Sequence, residues 1–183
     1  MTIFPNQRLV FLHIPKTAGR SIKKFLQDKE GGPVNLGIPH LFPREYVSEG
    51  HITQSDWDAF EKFTVIRNPW ARAVSAYKYH LRTRKREPFA DFLGEYIKGG
   101  WDLRRHGEPQ SRYIHGLDGR IYRYEFLAED FPGLPRVNSS QDATNYRDFY
   151  TPATRALIAD TYAEDIERFD YHFENGDPVN ATA

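Results

Sequence analysis

Four apolar residues in succession, Leu9-Val10-Phe11-Leu12, are followed by Ile22, Phe25 and Leu26 at helical spacing. An unbroken apolar run suits a strand covered on both faces, as in a parallel sheet with helices packed on it. The later spacing predicts a helix that begins near Gly19. The plan recurs from Phe63 to Ile66, a second strand, after which Trp70, Val74, Tyr77 and Leu81 fall on one helix face. Asn68-Pro69 supplies that helix with an N-cap and a proline at its first position. Ser55-Asp56-Trp57-Asp58 predicts a short helix ahead of the second strand, with an acid three residues after a capping hydroxyl. Phe89, Phe92, Leu93, Tyr96 and Ile97 define an amphipathic helix, and Ile121 to Tyr124 a third strand. Thr151-Pro152 opens a last helix whose Ile158, Tyr162, Ile166 and Phe169 form the buried stripe. Gly31 to Pro43, rich in glycine and proline, reads as an ordered surface loop. Strands alternating with helices point to an α/β fold with a parallel sheet. There are no internal repeats, and 183 residues suit a single domain over 1–183.

The two strand-to-helix junctions carry the chemistry. In His13-Ile14-Pro15-Lys16-Thr17-Ala18-Gly19-Arg20-Ser21-Ile22 a tight basic loop leads into a helix. The first N–H groups of a helix have no partner within it, and the helix dipole adds partial positive charge there. A phosphate suits that position. Lys16 adds a mobile charge, Thr17 and Ser21 offer hydroxyls, and Gly19 lets backbone approach a ligand closely. The order excludes a Walker A loop, which needs glycine before its lysine; here Pro15 precedes Lys16 and Gly19 follows. At the second junction Arg67 precedes the helix and Ser75 lies off its apolar stripe, a guanidinium and a hydroxyl suited to gripping one phosphate together. Two cradles imply a ligand with two separate phosphate groups.

These segments resemble those of sulfotransferases that use 3′-phosphoadenosine 5′-phosphosulfate (PAPS). His13-Ile14-Pro15-Lys16-Thr17-Ala18-Gly19 is similar to that family's 5′-phosphosulfate loop, and Arg67-Asn68-Pro69 with Arg72 and Ser75 to its 3′-phosphate motif. The resemblance is greatest to the carbohydrate branch that includes heparan sulfate 2-O-sulfotransferase and the uronyl sulfotransferases. It extends through Glu49-Gly50-His51, Gln110-Ser111-Arg112-Tyr113, Arg123-Tyr124-Glu125-Phe126-Leu127 and the segment from Leu134 to Ser140, and is weakest between Arg82 and Glu108. It implies the P-loop-like sulfotransferase fold and a donor held by Lys16, Thr17, Ala18, Gly19, Arg20, Ser21 and Ile22 at its 5′ end. Arg67 and Ser75 would hold the 3′-phosphate, with Arg136, Ser139 and Ser140 in a loop over the nucleotide. It makes His51 the general base on the acceptor hydroxyl and Lys16 the charge that meets the leaving oxygen of 3′,5′-diphosphoadenosine, with no metal. His13 competes with His51 for the base and reads as structural.

Twenty-five basic residues balance 25 acidic ones, so no global charge draws the chain to nucleic acid. Local clusters remain. Arg82, Arg84, Lys85 and Arg86, then Arg104 and Arg105, suit either an acidic sugar such as a uronate or a solvated helix end. The absence of cysteine excludes a disulfide framework, a thiolate metal site and a cysteine nucleophile. No stretch resembles a signal peptide or a membrane span, so the expectation is a cytoplasmic protein, of a bacterial type or cut from a longer anchored one. Two other classes remain open: a small kinase with an atypical phosphate loop and Glu125 as metal-binding acid, and a nucleotide-binding module without catalysis.

Overall fold

The fold is that of a computed structural model, which describes residues 2–30, 40–83, 86–98, 105–135 and 145–175. In chain order come β1 (Thr2–Phe4), β2 (Leu9–Leu12), α1 (Gly19–Glu30), α2 (Pro43–Ser48), α3 (Gln54–Ala59), β3 (Glu61–Ile66) and α4 (Pro69–Thr83). They are followed by α5 (Phe89–Ile97), α6 (Gln110–Ile114), β4 (Arg120–Arg123), α7 (Leu127–Asp130), α8 (Pro152–Thr161) and α9 (Ala163–Phe169). The chain divides into two compact units, residues 1–66 with 110–137 and residues 67–109 with 138–183.

The first unit is built on a four-stranded sheet of order β1-β2-β3-β4. β2, β3 and β4 are parallel, with Leu9 opposite Glu61 and Phe63 opposite Arg120. The parallel sheet expected from the sequence gains one further edge strand, where β1 runs antiparallel to β2 with Thr2 opposite Phe11. The short 3-10 turn Pro5–Gln7 and the left-handed Arg8 (φ 51°) join them, and so short a link permits only an antiparallel return. Alternate side chains leave opposite faces of the sheet. Phe4, Phe11, Phe63 and Val65 pack with Ile22 and Leu26 of α1 and Leu127 of α7. Ile3, Val10 and Leu12 pack with Leu41 and with Tyr46 of α2. Burial on both faces is what the unbroken apolar run of β2 requires.

α3 begins earlier than its sequence pattern suggests. Thr53, not Ser55, is the N-cap, and its Oγ1 accepts the Asp56 N–H at 3.0 Å. The same hydroxyl-then-acid spacing occurs at both positions. The earlier start seats Trp57 against Tyr46, with ring centroids 5.2 Å apart.

In the second unit α4 is capped as its sequence requires: Asn68 Oδ1 accepts from the Trp70 and Ala71 N–H groups at 3.1 and 3.2 Å. Trp70, Val74 and Tyr77 are buried, and so are Ala71, Arg72, Ala73, Ala76 and His80. The single last helix is corrected to two, α8 and α9, broken at Tyr162. The phenol of Tyr162 donates to the Gly107 carbonyl at 2.7 Å, and Asp165 is wholly buried while Ile166 is only half-buried. Residues 31–39, most of the expected surface loop, lie outside the described residues.

Candidate functional site

The cradle is a strand, a strained loop and a helix start within the first unit. β2 ends at Leu12 and α1 begins at Gly19. Between them Lys16 and Ala18 adopt left-handed backbone at φ 69° and 66°. Such a conformation costs a residue other than glycine roughly 1–2 kcal/mol, and strain of this kind collects at ligand-binding loops. Alternation of left-handed with ordinary residues gathers backbone N–H groups into an anion-binding concavity. The first turn of α1 carries Arg20 and no acidic residue. Positive charge therefore accumulates where the helix dipole is already positive, an arrangement that an anion relieves.

Side chains of the loop divide their tasks. Thr17 is fully buried, and its hydroxyl donates to the Ile14 carbonyl at 2.9 Å, so it braces the loop. Ser21 is buried, Ile22 is core, Lys16 is half-buried and Arg20 is exposed. Gly19 holds a different space from the one its sequence suggests. A Cβ there would lie 1.8 Å from His13 Nε2, so the room belongs to an imidazole of this chain. His13 stacks on Phe11 and meets His40 edge-on, and His40 Nδ1–H donates to the His13 carbonyl at 2.9 Å. His40 carries no signal in the sequence, because its contact with His13 lies 27 positions away and no local pattern announces it.

His51 follows α2 in a turn made by Gly50 at φ 71°. Its backbone N–H donates to the Tyr46 carbonyl at 2.9 Å, and its Nε2 lies 3.1 Å from Glu49 Oε2. The ring is mostly buried and Glu49 is more exposed, with side chains 17% and 42% accessible. The sequence places Glu49 in the segment Glu49-Gly50-His51 without a role of its own, although an acid two residues before a histidine across a glycine is a signal for one. The Tyr46 phenol is pushed above its ordinary range by burial, with the Glu45 and Tyr113 charges adding to the rise.

In the second unit Arg67 is buried and follows β3 directly, while Ser75 is half-buried in the second turn of α4. Arg72, which the motif groups with them, is turned into the protein: its two terminal nitrogens donate to the carbonyls of Glu108 and His106, each at 2.9 Å. Arg82 is exposed and its Nε donates to the Lys78 carbonyl, and Arg105 is half-buried with φ 59°. Arg84, Arg104, Arg136, Ser139 and Ser140 lie outside the described residues.

The chain belongs to the sulfotransferase family, whose model matches residues 1–131. A protein of Archaeoglobus fulgidus, named only as uncharacterized, is 33% identical over 107 residues, covering 50% of this chain and 86% of its own length. No solved structure matches the chain. Membership makes the protein a transferase of sulfuryl groups. Among the described residues no helix is long and apolar enough to cross a membrane.

Proposed function

We propose that residues 1–183 form one sulfotransferase domain of the P-loop-like fold, which moves the sulfuryl group of PAPS to a hydroxyl of a carbohydrate. The observation that carries this reading is the strained basic loop, with Lys16 and Ala18 left-handed, leading into the acid-free first turn of α1. Bound donor supplies the activated sulfuryl group. The backbone of Lys16, Thr17, Ala18, Gly19, Arg20, Ser21 and Ile22 binds its 5′ end, and Arg67 and Ser75 its 3′-phosphate. We assign Arg136, Ser139 and Ser140 to the loop over the nucleotide. Lys16 stands against the charge that grows on the leaving oxygen, where preorganised charge is commonly worth a factor on the order of 10²–10³. His51 takes the proton of the acceptor hydroxyl. Arg82, Arg84, Arg104 and Arg105 are the candidates for recognising an acidic sugar. The resemblance of the motifs to the 2-O- and uronyl branch is what supports a carbohydrate acceptor.

Thermal stabilisation by 3′,5′-diphosphoadenosine, AMP and ATP tests the donor assignment, because a ligand of the folded state raises stability with the logarithm of its concentration over Kd. The diphosphate is expected to bind far better than AMP. Arg67→Ala is expected to erase most of that difference, about tenfold or more, since a charged hydrogen-bond partner is worth roughly 1.5–3 kcal/mol. Equal binding of AMP and the diphosphate would remove the reading, and preference for ATP with magnesium would turn it toward a kinase.

A further inference from the structure

We propose that the imidazole of His13, and not a ligand, is what position 19 must leave room for, and that His13 is the positioning residue of the cradle. The proposal rests on the reading of this loop as the anchor of the donor's 5′ end. A Cβ on Gly19 would stand 1.8, 1.9 and 2.5 Å from three atoms of the His13 ring, separations no pair of non-bonded atoms sustains. Backbone conformation gives no other reason for glycine, because Gly19 does not have positive φ, unlike Gly50, Gly116 and Gly133 among the described residues. An alanine would take up the same backbone without strain if the ring were elsewhere.

The ring is held from several sides. It stacks on Phe11 with centroids 5.7 Å apart and an interplanar angle of 23°, and meets the edge of His40 at 4.6 Å. The His40 Nδ1–H donates to the His13 carbonyl at 2.9 Å, and His40 is itself buried. Strained backbone persists only where its surroundings over-determine it. Thr17, bonded to the Ile14 carbonyl, restrains the middle of the loop. His13 against Gly19 restrains its far end, where α1 presents its first N–H groups. Moving the ring therefore releases Lys16 and Ala18 from the conformation in which the loop can gather an anion.

A double-mutant cycle reads this coupling. Dissociation constants for 3′,5′-diphosphoadenosine and ligand-free thermal midpoints are measured for wild type, His13→Ala, Gly19→Ala, the double variant and His13→Phe, with binding recorded well below each midpoint. Gly19→Ala is expected to weaken binding about 25-fold or more, and the double variant to recover about fivefold of that loss, to the level of His13→Ala. His13→Phe keeps a ring in the same space, and it is expected to bind within about twofold of wild type while His13→Ala falls at least about fivefold short. A double variant no better than Gly19→Ala returns position 19 to the ligand and overturns the proposal. If neither Gly19→Ala nor the double variant folds, equal and undiminished binding by His13→Phe and His13→Ala overturns it. Wild type that ignores the diphosphate would remove the donor assignment instead, and the midpoints alone would then decide the coupling: a double variant no more stable than Gly19→Ala refutes it.

Discussion

Gly50, at φ 71°, reverses the chain after α2 so that the side chains on either side of it meet. The 3.1 Å contact occupies one ring nitrogen of His51: with Nε2–H donating to the Glu49 carboxylate, Nδ1 is the nitrogen that the proposed mechanism requires to take the acceptor's proton. A carboxylate in this place orients the imidazole and stabilises the imidazolium that forms, as the aspartate of a catalytic triad does. His51 touches the acceptor and not the donor in this scheme, so His51→Ala is expected to cut transfer about 10²-fold or more while leaving diphosphate affinity nearly unchanged. Glu49→Ala is expected to lower kcat about tenfold, with Glu49→Gln between it and wild type because an amide oxygen still accepts the Nε2–H. Initial rates at saturating donor, set beside direct nucleotide binding, check both. Near-normal transfer by folded His51→Ala would move the base elsewhere. Equal rates for wild type and Glu49→Ala would leave the carboxylate a surface neighbour only.

Arg72 shows how α4 serves two ends at once. Its guanidinium is buried and spans the carbonyls of His106 and Glu108, while Tyr162 holds the carbonyl of Gly107 between them. Three consecutive carbonyls are thus satisfied by side chains from α4 and from the break between α8 and α9. Arg72→Met keeps much of the packing but removes the two guanidinium hydrogen bonds to those carbonyls, at a cost of about 3 kcal/mol. Denaturant unfolding is expected to register that loss, whereas the extra stability given by the diphosphate stays as in wild type. Loss of the ligand increment would return Arg72 to the phosphate group in which its motif places it. The contrast also explains what could be read from sequence. The start of α4 was legible because Asn68 and Pro69 act on neighbouring backbone, and the start of α1 because its apolar spacing is local. The break at Tyr162 was not, since it depends on a hydrogen bond 55 positions away. β1 was missed for a related reason: three residues carry no period, and their pairing with β2 becomes visible only in the fold. The cradle was legible as a stretch, but the tenant of the space beside Gly19 was not, because it depends on which way a ring turns.

The two units share a property that belongs to the whole chain, its buried phenols. Tyr46 lies in the first unit and Tyr150 and Tyr162 in the second, and burial, first among the causes, pushes all three above the ordinary tyrosine range. The folded protein therefore keeps these protons at a pH where the unfolded chain releases them, above about 10. Fewer protons on the unfolded state make stability fall as pH rises, by about 1.4 kcal/mol per pH unit for each such group. Below about pH 10 their contribution is fully present, and above it three tyrosines together remove about 4 kcal/mol per unit. Lys23, whose ammonium is lowered by desolvation, acts in the opposite sense, while Tyr77, raised by burial and the Glu87 charge, acts in the same sense as the three. For a domain with a typical stability of about 5–15 kcal/mol, that slope unfolds the protein within a few pH units. Three of the 11 tyrosines are expected to ionise only as the fold is lost, so the last step of phenolate absorbance, about three phenols in size, should coincide with the loss of circular dichroism. Tyr46→Phe sharpens the test. Its hydroxyl is buried without a hydrogen-bond partner among the described residues, so its removal is expected to raise stability at neutral pH by about 1 kcal/mol and to flatten the alkaline slope by about a third. Phenolate absorbance that rises fully before the circular dichroism changes would show that the three phenols titrate inside the folded protein, and the alkaline limit would then have another origin.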